Sequence, residues 1–333
     1  MSCGANSLRC LAVVLLASPA FADEEIPFPV LKSTTASKDR ATYVVEGRMR
    51  LPVGVAVTCK QGIRILGRGD DPTLEVAGTL VIEGQPRQEV VIENLRIEPA
   101  PQFQEIRIEW ARMSGSIATP EGGAAAGPLA IDCTTVSGPV SLAFGQGEIR
   151  LMHSELQGQV TLAGVPREGA AAAPLKIRIL NCCRGTDRAE EIQLNAGFWS
   201  GLAVSRASDV LVRANWLTGG AYDFEDCGEL VFDGNTAVSA DRVAFRQTKP
   251  GGFKRTRVMK SDFYGVEVRL ESPKAETADK VVIDKCWFGG TEDPQKVLEA
   301  AVRDGSRDAT SGARAQFRKI NKSPLGIGGT PQR

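Results

Sequence analysis

From Val90 to Gly290 the hydrophobic and polar positions repeat as a ten-position unit. Positions 1 and 3 are apolar, 4 and 5 are polar or turn-prone, 6 is small, 8 is usually apolar, and 10 is often Gly. With lapses, the pattern fits Val90–Pro99, Ile106–Gly115, Leu129–Gly138, Ile149–Gly158, Ile177–Thr186, Val210–Gly219, Leu230–Ser239, Thr256–Gly265 and Val281–Gly290. Apolar residues at 1 and 3 share one face of a strand. Position 8 is out of phase with position 3, so the chain must bend between them. The bend falls at positions 4 and 5, where Asn94, Asn181 and Gly234 take left-handed conformations at little cost.

With the bend there, positions 6 and 8 face inward together. Position 6 reads Leu95, Ala111, Thr134, Ser154, Cys182, Asn215, Asn235, Ser261 and Cys286, a column that is small or able to hydrogen-bond with its own kind. Position 2 faces outward and carries Arg107, Arg150, Arg178 and Arg257. Unit starts are 16, 23, 20, 28, 33, 20, 26 and 25 residues apart. Strand units at such uneven spacings of 20-odd residues predict a solenoid. A WD-type propeller blade would need about 40–45 residues and its own signatures. The expected fold is therefore all-β: a parallel β-helix whose coils stack about 4.8 Å apart. A β-sandwich is the alternative, since short strands with Gly-rich turns also suit one.

The stretch Leu74-Glu-Val-Ala-Gly-Thr-Leu-Val-Ile-Glu-Gly84, followed by Gln85-Pro86 and Val90-Val-Ile92, carries a resemblance. It resembles the opening coils of exported bacterial right-handed parallel β-helix proteins of the pectin-lyase-like superfamily, and the likeness covers about Tyr43–Gly290. It implies right-handed coiling and leaves activity open, since one fold hosts many functions.

Before the repeats, Met1–Ala22 has the form of a secretory signal, with Arg9, the apolar Leu11–Ala17 and the small-x-small site Ala20-Phe21-Ala22. Export to the periplasm or beyond follows, with no integral membrane segment, because no apolar run is long enough. Residues 23–42 are unpatterned and read as a loose lead-in. Beyond Gly290, Asp293 caps a short helix with Pro294 at its first position, and Val297, Leu298, Ala301 and Val302 form its apolar stripe. Gly305 is expected to stop it, with Arg303 suiting its dipole. This helix, with Phe317 and Ile320, is expected to cover the C-terminal end of the solenoid, while Ser323–Arg333 frays or lies along the outside.

The chain has 40 basic and 40 acidic residues. That balance argues against a nucleic-acid partner, which favours a basic domain. Of eight cysteines, Cys59, Cys133, Cys182, Cys183, Cys227 and Cys286 follow the signal. They read as buried thiols. With His153 the only histidine, no mixed Cys/His zinc pattern is visible.

Candidate chemistry is sparse. Polysaccharide-cleaving members of the superfamily resembled use acidic clusters on neighbouring coils, often with calcium. Their Gly-His-Gly and Arg-x-Pro-x-x-Arg signatures are missing here. What remains is an acidic knot at Asp223, Glu225 and Asp226, whose carboxylates could share a calcium ion. A basic run follows, Arg246, Lys249, Lys254, Arg255, Arg257 and Lys260, suited to an anionic polymer. Trp199, in the longest insertion, could stack on a sugar ring. Each has a plainer reading as a solvated turn, a solvated loop or a packing residue. Trp216 and Trp287 fall at outward position 7, to line a sheet or lie beneath a loop.

The ligand-binding candidates are thus Trp199, Asp223, Asp226, Lys254, Arg255 and Arg257, with no catalytic set and no required cofactor. The leading expectation is a non-catalytic exported β-helix, structural or binding a glycan or partner at the cell envelope. The alternatives are a divergent polysaccharide lyase or hydrolase, in which Asp223, Asp226 and a basic residue from Lys254–Arg257 converge, and an adhesin or assembly component.

Overall fold

The computed structural model describes residues 25–37, 41–168, 170, 172–182, 184–187, 192–195, 197–274, 279–289, 293–306 and 311–325; the signal read at Met1–Ala22, Cys183 and the Lys254 side chain lie outside what is described. The chain is a parallel β-solenoid of about 10 turns. Three parallel sheets run along it, and the chain visits them in rotation. The third sheet includes Glu105–Glu109, Ala125–Asp132, Ala173–Leu180, Ala207–Arg213, Glu229–Asp233, Thr256–Met259, Asp279–Trp287 and Ala313–Asn321. Position 1 stacks on position 1: Leu129 pairs with Ile106 and Ile149, Ile149 with Ile177, Ile177 with Val210, and Val210 with Leu230. All six are buried. Each such side chain removed from water contributes about 1.5–3 kcal/mol.

The corner from third sheet to first explains the rest of the repeat. Position 5 has positive φ at Trp110, Cys133, His153, Asn181, Ala214, Gly234, Lys260 and Lys285. In this conformation its N–H points along the stack and donates to the position-4 carbonyl of the next coil, as from Trp110 to Asp132, Cys133 to Met152, His153 to Leu180 and Lys260 to Asp284. The bend leaves the position-6 N–H without a strand carbonyl, and the position-6 side chain of the next coil replaces it. Thr134 N donates to Ser154 Oγ, Cys182 N to Asn215 Oδ1, Asn215 N to Asn235 Oδ1, and Asn235 N to Ser261 Oγ. A buried donor left without such a partner would cost about 1–3 kcal/mol, which is why this column is small and polar.

Eight of the nine units share this corner. Val90–Pro99 does not. Its strands Val90–Glu93 and Arg96–Pro99 belong to the first and second sheets, so Asn94 bends the next corner along and bonds Gly67 O instead. The short spacing of 16 residues reflects that shift.

Coil stacking also extends past both ends of the repeat. Glu25–Pro27 pairs with Thr42–Leu51, and Thr34–Ala36 with Ala56–Lys60, so part of the stretch read as a lead-in supplies the first paired strands. At the other end Val302–Arg303 and Ala313–Asn321 add a further coil. The helix Pro294–Ala300 lies within that coil. Asp293 caps it by accepting from Gln295 N, and Val297 is buried. It ends at Ala300, ahead of Gly305, and Arg303 pairs instead with Glu267. Phe317 packs on the core and Ile320 is buried in it.

The interior becomes richer in aromatic rings in the later coils, where Phe224 stacks on Phe245, Phe232 on Phe263 and Phe263 on Phe288. Cys59, Cys227 and Cys286 are buried, and burial pushes each thiol up to about 12. They are inert, as the sequence reading expected of them. No helix among the described residues is long and apolar enough to cross a membrane.

Candidate functional site

The outer face of the third sheet carries a groove of about 330 Å³ near the C-terminal end. Its walls are Thr256, Arg257, Met259, Lys280, Val282, Asp284 and Arg318, drawn from three successive strands. Arg257 pairs in register with Val282, and Met259 with Asp284, so these four form two adjacent rows. Lys280 precedes Val282 by two residues and shares its face.

Arg318 arrives by a different route. Ile283 pairs with Phe317 and Asp284 with Lys319, which leaves Arg318 as the extra residue of a β-bulge. A bulge re-aims the side chain it carries. Arg318 and Lys319 are both exposed, whereas Ala313 and Ile320 on either side are buried. The groove therefore gathers three cations around one carboxylate, over a floor of Met259 and Val282. Among the described residues, Arg257, Lys280 and Arg318 form no ion pair, unlike most arginines of the outer faces.

Among the described side chains proposed from sequence, only Arg257 enters this groove. Asp223 projects from the second sheet, where Arg242 grips its two oxygens at 3.0 and 2.8 Å. That hydrogen bond holds the Arg242 guanidinium above its usual range. Glu225 meets Arg246, which also donates to Glu271 at 2.7 Å, and the Glu271 bond raises the Arg246 guanidinium likewise. Asp226 sits at a positive-φ corner and accepts from Thr248 N and Oγ1 at 2.7 and 2.6 Å. Neither Asp223 nor Asp226 belongs to a group of three potential metal ligands among the described residues.

The basic run disperses. Arg246 lies on the second sheet, Lys249 and Arg255 on the following corner, Arg257 on the third sheet, and Lys260 at the next bend. Trp199 is half-buried and its ring N–H is enclosed within the protein. Trp216 is buried. Trp287 lies tilted against Tyr264, with ring centroids 4.5 Å apart, and donates to Lys322 O, so the C-terminal segment crosses it on the outside. Asp262 accepts from Leu325 N and holds that segment in place.

Lys280 and Arg318 were missed from sequence because one lies just outside the ten-position unit and the other beyond the last copy. The available signal was the alternation Ala313-Arg-Ala-Gln-Phe-Arg318, which marks one more strand. No family profile, curated protein or solved structure matches the chain. Fold and site together define a parallel β-solenoid with a cationic groove on one outer sheet.

Proposed function

We propose that the chain is an exported, non-catalytic β-helix that holds an anionic glycan on the outer face of its C-terminal coils. The carrying observation is the set Arg257, Lys280 and Arg318, three cations around one groove that form no ion pair among the described residues, although the carboxylate of Asp284 also lines it. Guanidinium groups match carboxylate and sulfate geometry in pairs of parallel bonds. The apolar floor of Met259 and Val282 suits the C–H face of a sugar ring. An extended polymer crossing the strands would meet the three cations in turn. Export rests on the Met1–Ala22 signal, and membership among right-handed pectin-lyase-like proteins on the Tyr43–Gly290 resemblance.

A lyase or hydrolase built on Asp223 and Asp226 draws no support from the geometry, since Arg242 and Thr248 occupy both carboxylates. An assembly role would favour a broad apolar surface. The exposed large apolar side chains among the described residues are Leu31, Val53, Val165 and Leu325, which are dispersed along the chain.

The test is to incubate the purified protein with acidic and neutral polysaccharides, with and without calcium. Binding, unsaturated products and new reducing ends would be followed together. Saturable, salt-sensitive binding to acidic polymers without product is the expected result. Product from any substrate would replace this reading with the enzymatic one, and equal indifference to acidic and neutral polymers would remove the glycan.

A further inference from the structure

A second constellation lies on the same sheet several coils earlier, at the corner leading to the first sheet. Asp132 and Cys133 occupy positions 4 and 5 of one unit, and His153 occupies position 5 of the next. The intervening coil is 20 residues long, so His153 stacks on Cys133. Both residues take positive φ, 47° at Cys133 and 46° at His153, and this carries their side chains out of the corner together. His153 Nδ1 lies 2.8 Å from Asp132 Oδ1, and Cys133 Sγ lies 3.5 Å from the same oxygen. All three residues are half-buried, and their ligand atoms lie within 4.8 Å of one another.

We infer that Asp132, Cys133 and His153 form a binding site for a divalent transition ion of the zinc class. Thiolate, imidazole and carboxylate together suit zinc, cobalt or nickel, and disfavour calcium and magnesium, which take oxygen ligands. The spacing supports this. A tetrahedral ion with ordinary zinc bond lengths holds sulfur and oxygen ~3.5 Å apart and nitrogen and oxygen ~3.3 Å apart. The sulfur–oxygen distance already matches. The imidazole must move about half an ångström from the carboxylate, a distance that a rotation of the half-buried ring supplies.

The other imidazole nitrogen has a side chain within reach. His153 Nε2 lies 3.5 Å from Nδ2 of Asn181, the position-5 residue of the following unit. With the ion on Nδ1, Nε2 carries the proton. A half-turn of the Asn181 amide then brings Oδ1 to it in place of Nδ2, the second contact that fixes a ligating histidine. On binding, the Cys133 thiol proton passes to solvent. Three protein ligands leave a fourth position for water or an outside ligand. This site is separate from the glycan groove, and neither depends on the other.

The test uses the full chain, stripped with a chelator and titrated with Co2+ alone. One equivalent should give the visible bands of tetrahedral cobalt and a near-ultraviolet thiolate charge-transfer band, both displaced by Zn2+. Cys133→Ser should remove the charge-transfer band. His153→Asn should weaken binding at least about tenfold while keeping the corner, because Asn94 and Asn181 already adopt positive φ at such bends. Far-ultraviolet circular dichroism and the melting transition of each variant report folding independently. Wild-type protein with no saturable signal at one equivalent would overturn the inference. So would a charge-transfer band that persists at full strength in folded Cys133→Ser and His153→Asn alike.

Discussion

Arg107, Arg150 and Arg178 hold the same repeat position as Arg257 and project from the same sheet, but their neighbours differ. Arg107 lies between Glu105 and Glu109 on its own strand and reaches Glu83 on the previous coil. Arg150 takes Glu148 on its own strand, and Arg178 grips Asp209 on the next coil. Arg257 has Arg255 and Met259 two residues away on either side, and it faces Val231 and Val282 across the sheet. One scaffold position thus serves two purposes. Where acids alternate with the arginine, the surface is neutralised and its ion pairs are each worth about 0–1 kcal/mol. Where they are replaced by valine, methionine and further cations, the field stays open to a ligand.

The largest expected effect is reversal of the open set. Combining Arg257→Glu, Lys280→Glu and Arg318→Glu should weaken binding to the acidic polysaccharide by about 100-fold or more, since charge-assisted bonds contribute about 1.5–3 kcal/mol each. The melting temperature should stay within a few degrees, because the three side chains stand outside the core. Arg107→Glu, at the same repeat position, should leave affinity unchanged. An equal loss from both substitutions, measured by calorimetric titration, would erase the distinction between the two regions.

A gentler change converts one region into the other. Met259→Glu places a carboxylate two residues after Arg257, as Glu109 stands after Arg107. The new pair should lower affinity about tenfold, a difference of about 1.4 kcal/mol, and flatten its salt dependence. Unchanged affinity and salt slope would mean that Arg257 contributes no charge to the ligand.

The coil was legible in the sequence because its determinants are local. A positive-φ bend at position 5 and a small residue at position 6 impose the corner wherever they occur together, and the buried column from Ala111 to Cys286 follows. Asn94 misled because it makes the same kind of bend at another corner. The contrast between the arginines was also written locally, as Glu105-Ile-Arg107-Ile-Glu109 against Arg255-Thr-Arg257-Val-Met259. The complete groove was less accessible. Arg257, Lys280 and Arg318 come from three coils, and Arg318 joins them only through a bulge that alternation cannot foretell. His153 looked solitary for a related reason: its neighbours Asp132 and Cys133 lie one coil away, and contact depends on that coil's length. The acidic knot misled in the opposite direction. Asp223 and Glu225 share one face of their strand and Asp226 lies past the corner, and each is taken by a partner on the next coil.

The smallest effect concerns the neutralised region alone. Glu83 accepts from Lys60 and from Arg107, and its carboxyl is held below the usual range, chiefly by the Lys60 hydrogen bond and further by the Arg107 charge. A carboxyl depressed in the folded state adds stability that is fully present above its unfolded value of about 4.3. The contribution is lost as pH falls through the lower folded value. Urea unfolding midpoints should therefore fall in that acidic window, and Glu83→Gln should reduce the fall by a fraction of the whole. Arg257→Ala should leave the pH profile as it is, because Arg257 shields no carboxylate. A profile that changed with Arg257 and not with Glu83 would assign the ion pairs to the wrong region of the sheet.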